Sequence, residues 1–169
     1  MLHSLVRTVL LRDLAAVRRS VLMYPDDASI WTALAGLPNA GGTLALHVAG
    51  NLQHYLGAVL GGSGYVRDRD TEFARRDVSR AELLAELDAA AAAVDGTLAR
   101  LDGSAATLAS AYPERIGDRE LSLGSFLVHL ATHLAYHLGQ LDYHRRAVTG
   151  EARGVGAVAA ASLPSFADG

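Results

Sequence analysis

The stretch from about Leu123 to Thr149 constrains the fold more than any other part of the chain. Leu127, Leu130, Leu134, His137, Leu141, His144 and Val148 recur at an alternating spacing of three and four residues. That is the core seam of a helix packed in a bundle. Ser122 stands where an N-cap belongs, and Gly150 where a helix stops. Three more segments carry helical patterns. Leu2–Leu22 has a stripe of Leu5, Val9, Leu10, Leu14, Val17 and Val21, and ends at the turn cluster Tyr24-Pro25-Asp26-Asp27. After a connection containing Trp31, Pro38 and Gly41-Gly42, Thr43–Leu60 carries Leu44, Val48, Leu52, Tyr55 and Val59, and is closed by Gly61-Gly62-Ser63-Gly64. Ser79-Arg80-Ala81-Glu82 is a capping box opening an alanine-rich helix to Leu101, where alanine serves close approach or helix propensity. Between these segments Tyr65–Asp77 reads as a charged loop, Tyr112-Pro113 breaks the chain, and Ile116–Glu120 reads as a turn or short strand. No alternating strand pattern and no repeat stands out. The expectation is an all-α protein: a four-helix bundle over residues 1–150, then a tail, 151–169, that is a short helix or disordered.

Composition removes whole classes of chemistry. The 169 residues include no cysteine, which excludes disulfides, thiolate ligands and a cysteine nucleophile. They include no lysine either, so Schiff-base chemistry is excluded and every fixed cation is arginine. A formal net charge of -3, with arginines scattered as Arg18-Arg19, Arg75-Arg76 and Arg145-Arg146, argues against nucleic acid or an anionic membrane as partner. No apolar run approaches the ~20 residues of a membrane span. The N-terminus mixes Arg7, Arg12 and Asp13 into its apolar pattern, unlike a signal peptide. A cytoplasmic location is expected.

The histidines are unevenly spread. His129, His133, His137 and His144 fall on the fourth long helix, and His47 and His54 on the second, with Asn51 between them. Residues four apart stand one turn above each other, so His133 and His137 can point at one spot. These imidazoles sit inside apolar stripes, where an unpartnered polar group costs about 1–3 kcal/mol. Two readings stay open on the residues alone: core histidines satisfied by packing partners, or a metal ion that gathers them. Other metal patterns fail. A zinc-protease helix needs glutamate directly after its first histidine, where this chain has Leu130 and Leu134. Di-iron bundles need glutamate three before histidine on two helices, and no such pair occurs.

His47–Gly57 (HVAGNLQHYLG), His133–Gln140 (HLAYHLGQ) and Arg67–Phe73 (RDRDTEF) together resemble the DinB-like (DinB/YfiT) superfamily, a group associated with metal-dependent chemistry. The resemblance covers Thr43–Phe73 and Ser122–Gly150. It implies a four-helix bundle whose divalent metal is held by three histidines, at the positions of His47, His133 and His137. Many members carry a histidine-arginine pair before the Gly-Gln, whereas here Tyr136 precedes His137 and Leu138 follows it. Members with assigned activities use low-molecular-weight bacterial thiols as S-transferases or isomerases.

Three neutral imidazoles leave a divalent ion with open positions, a catalytic rather than a closed arrangement. Nitrogen ligation suits zinc, nickel, iron or manganese. Asn51, His54, Tyr136, Gln140 and His144 are candidates to orient the ligands or move protons. Arg67 and Arg69 are candidates to hold a substrate carboxylate by paired contacts. The expected function is a metal-dependent transfer to or from a low-molecular-weight thiol, with a small-molecule substrate and a homodimeric assembly. A metal-dependent hydrolase and a non-catalytic metal or small-ligand binding protein are the alternatives.

Overall fold

The computed structural model describes residues 2–76 and 78–165. Among them the chain forms helices and turns and no β-strand. In order these are α1 (Leu2–Leu22), α2 (Asp27–Ile30), α3 (Gly41–Leu52), α4 (Arg69–Ala74), α5 (Arg80–Arg100), α6 (Ala105–Ala109) and α7 (Leu123–Thr149). Helix α3 runs on without a break through Gln53–Leu60 in the wider π geometry. The long segments pack in a closed cycle: α1 lies against α5 and α7, and α3 with its extension lies against the same two. Leu10, Val17, Leu52, Leu87, Val94, Leu127 and Leu130 are buried at the centre of this arrangement.

Local signals explain the helix ends. The Ser79 hydroxyl accepts from the Glu82 amide while the Glu82 carboxylate accepts from the Ser79 amide at 3.0 Å, the reciprocal box expected. Ser122 caps α7, and Gly150 ends it at φ 69°, a left-handed conformation cheap only for glycine. On α5 the two roles of alanine divide by face. Ala90 is buried, whereas Ala85, Ala89 and Ala92 are exposed and contribute helix propensity.

Three local features differ from the sequence expectation, and at Ile116–Glu120 the structure forms the turn of the two alternatives. The turn cluster at Asp26-Asp27 opens the short helix α2, because Asp26 accepts from the Ser29 amide at 2.8 Å. The charged loop contains α4, because the Asp68 carboxylate accepts from the Thr71 amide at 3.0 Å and from its hydroxyl at 2.6 Å. Ile116–Glu120 is a tight turn closed by an isolated Ile116–Arg119 bridge, not a strand. Finally, the second long segment starts at Gly41 and widens after Leu52. That widening has local support: the Leu56 carbonyl accepts from both the Gly61 amide and the Thr97 hydroxyl, and the Tyr55 carbonyl accepts from the Tyr112 hydroxyl. Extra donors stabilise carbonyls that a π turn presents less well to its own amides.

Beyond α7, Arg145 is fully buried and donates to Asp142 and to the carbonyls of Glu151 and Arg153. This draws the chain after Gly150 back onto the helices and buries Val155. Ala160–Ser162 forms one 3-10 turn, and residues 166–169 of the expected tail lie outside the described residues.

His144 joins α7 to the α2 region. Its Nε2–H donates to the Thr32 carbonyl at 2.9 Å, and its Nδ1 accepts from the Tyr24 hydroxyl at 2.7 Å. Burial lowers its pKa below the ordinary 6.5, as burial also lowers those of His133 and His137. Each is neutral when folded and takes up a proton more readily when unfolded. Stability is therefore fully present above about pH 6.5 and is lost as pH falls from there through the lowered folded values. Urea denaturation in the presence of a chelator is expected to give a lower midpoint at pH 5.5 than at pH 7.5. His144→Gln is expected to reduce that difference.

Candidate metal centre

Helix α7 places His133 and His137 on one flank of its buried leucine seam, a turn apart, and α3 brings His47 opposite them. The Nε2 atoms converge: His47 lies 3.3 Å from His133, and His137 lies 3.1 Å from His133. One ring nitrogen from each of the three lies within 4.8 Å of the others. The outward nitrogens of two rings are tied to acceptors. His47 Nδ1–H donates to Glu72 Oε2 at 3.0 Å, and His137 Nδ1–H donates to Gln140 Oε1 at 2.8 Å. With those protons on Nδ1, the two Nε2 atoms carry lone pairs aimed at the shared point.

This donor set fits a divalent ion. Nitrogens ~2.1 Å from a tetrahedral ion stand about 3.4 Å apart, and adjacent nitrogens of an octahedral ion about 3.0 Å apart. The observed 3.1 and 3.3 Å separations fall in that interval. Burial, and then the neighbouring His137, His47 and His129, push the pKa of His133 down to about 4. Burial likewise lowers His137, against an opposing contribution from Gln140. A ligand imidazole must be neutral, so these environments favour the metal-binding form.

Glu72, which sequence reasoning passed over, organises the outer layer of the site. It is buried on α4, and beyond His47 it accepts two bonds from Arg67: Nε to Oε1 at 2.7 Å and Nη2 to Oε2 at 2.9 Å. Burial pushes its pKa up, but the bonds and charges of His47 and Arg67 outweigh burial and hold it below the usual carboxylate range. Gly50 on α3 makes room for it: a Cβ there would overlap the carboxylate, with Glu72 Cδ only 2.9 Å away. The signal was present in two places, since a histidine ligand wants an acceptor on its second nitrogen and Asp68 caps the helix that supplies one. Gly50→Ala is expected to push Glu72 off His47 and weaken zinc binding several-fold, readable by competition with a fluorescent chelator.

The three histidines open onto a cleft of about 390 Å³ that is also lined by Asn39, Asn51, Tyr55, Arg67, Arg69, Phe73 and His129. Among the described residues no aspartate or glutamate lines it. Of the orienting candidates, Gln140 bonds His137 directly, and Asn51 is buried in the cleft wall with its Oδ1 unpartnered. The other three lie away from the histidine point. His54 pairs with Glu114 at 3.0 Å, because the π turns rotate it off the line of His47. His144 is held between Tyr24 and Thr32. Tyr136 is 64% exposed and does not line the cleft, although its ring is 5.2 Å from that of His137. Both arginine candidates reach the cleft, but Nε and Nη2 of Arg67 are committed to Glu72, whereas Arg69 lies over the Phe73 ring at 4.9 Å.

A family model described as the DinB superfamily matches residues 10–141, well over half of the chain. The chain belongs to the DinB superfamily. Neither the curated proteins nor the solved structures contain a match to it. A histidine cluster able to hold a metal ion accords with that membership. No helix among the described residues is long and apolar enough to cross a membrane.

Proposed function

We propose that this protein is a four-helix bundle that holds one divalent metal ion with His47, His133 and His137 and activates a low-molecular-weight thiol for transfer to a small electrophile. The observation that carries the reading is the convergence of three Nε2 atoms at a cleft, with Glu72 and Gln140 fixing two of the rings from behind. Zinc, nickel, iron or manganese would suit such nitrogens. When bound, a divalent ion there supplies Lewis acidity, which lowers the pKa of a thiol or a water. The chain's own residues then do the rest. Glu72 holds the tautomer of His47, Arg67 holds Glu72, and Arg69 offers a guanidinium to a carboxylate on either substrate.

Thiol transfer ranks ahead of hydrolysis because, among the described residues, no carboxylate lines the cleft to deprotonate a water. A thiol loses its proton far more readily than water. We further propose that the chain assembles as a homodimer, which light scattering at micromolar concentration tests. For activity, zinc-loaded protein is incubated with bacillithiol, mycothiol or glutathione and a panel of electrophiles. Thiol-dependent conjugation above that of a His137→Ala control is expected. Ester or amide cleavage without thiol would reverse the ranking, and silence in both assays would leave a binding protein.

A further inference from the structure

A second cavity, of about 420 Å³, lies beside the histidine cleft and differs from it in chemistry. Its walls are Leu37, Pro38, Leu44, Tyr136 and Tyr143, and its lining is predominantly apolar. The two spaces are neighbours: Asn39 lines both. Gln140, which accepts from His137, lines the apolar one. Tyr136 and Tyr143 are 64% and 73% exposed and Leu37 is 47% exposed, so a sizeable apolar surface stands open next to the polar point. Cavities of this volume are the size of small-molecule sites.

Gly139 gives the cavity its room. It lies inside α7, where glycine weakens a helix relative to alanine. Neither of the usual reasons for a helical glycine applies. Its φ is not positive, and a Cβ built on it would meet no atom within 4 Å. Gly139 lines the cavity, so the missing side chain translates directly into open volume one turn from Tyr136 and Tyr143.

We infer that the cavity at Leu37, Leu44, Gly139 and Tyr143 is a specificity subsite for an apolar arm of the ligand whose polar head lies at the histidine cluster. This rests on the proposed metal site. The ligand class is therefore an amphipathic small molecule: a metal-seeking head joined to an aliphatic or aromatic group.

The test is isothermal titration of zinc-loaded protein with straight-chain hydroxamic acids from acetohydroxamic to hexanohydroxamic acid. A buried methylene strengthens binding roughly threefold to fourfold, so over the four added methylenes the hexano/aceto affinity ratio should reach roughly one hundred to a few hundred. Gly139→Leu should collapse that ratio toward one, and Gly139→Ala should reduce it less. Circular dichroism is expected to show that both variants fold, since alanine and leucine favour a helix over glycine. A ratio near one in the unsubstituted protein overturns the inference, as it would if a second copy of the chain covered the cavity. An undiminished ratio in Gly139→Leu overturns it as well. Acetohydroxamic acid that fails to bind the zinc-loaded protein overturns the metal reading and the inference with it. Head binding without chain-length dependence overturns the inference alone.

Discussion

Alanine in place of His47, His133 or His137 is expected to remove stoichiometric metal from the purified protein. Each imidazole supplies one of three directions at a point where the ring nitrogens already stand 3.1 and 3.3 Å apart. Three other histidines are engaged elsewhere. His54 is paired with Glu114, His144 is held by Tyr24 and Thr32, and the ring of His129 stacks on Phe126 at 5.7 Å. The loss should exceed the roughly 10–100-fold that removal of an outer partner costs. Competition against a chelator of known affinity, on protein made without a histidine tag, measures it. His129→Ala serves as the comparison, and its affinity should stay within a few-fold of the unsubstituted chain.

The second large effect belongs to Glu72. Glu72→Gln keeps the shape but removes the charge that accepts from His47 and from two nitrogens of Arg67. Zinc affinity is expected to fall by about 10–100-fold, because His47 loses the acceptor that fixes its ring and tautomer. Stability is expected to fall by roughly 3–5 kcal/mol, because the Arg67 side chain, only 10% exposed, is left without its counter-charge. The two losses can be separated. In a Glu72→Gln/Arg67→Met double variant, urea denaturation should recover most of the stability, since no buried charge remains unpaired, while zinc affinity stays low.

Legibility followed the range of the interactions. The long helices are local statements: an apolar stripe, a serine cap and a glycine stop specify α7 from end to end, and the capping box at Ser79 and Glu82 does the same for the start of α5. His133 and His137 were readable for the same reason, being four apart on one helix. Choosing His47 over His54 was not readable from spacing. Seven residues is nearly two α-helical turns, and the structure departs from that register at Gln53, where hydroxyls of Thr97 and Tyr112 support the wider turns. Those donors sit 41 and 57 residues away in the chain.

Glu72 was hidden by a similar cause. Within RDRDTEF it reads as one more solvated charge, and only the Asp68 cap turns that stretch into a helix that delivers it against Gly50 and His47. Arg67 was singled out as a partner for a carboxylate, and the carboxylate it meets in this structure is Glu72 of the same chain.

The central claim is that three imidazoles of this chain hold a divalent ion. X-ray absorption at the zinc edge, on tag-free protein carrying zinc, tests it most directly. The account predicts one ion per chain, with three imidazole nitrogens at ~2.0–2.1 Å and the remaining positions filled by oxygen. A protein that takes up no stoichiometric zinc, or whose zinc has only oxygen neighbours, would contradict it.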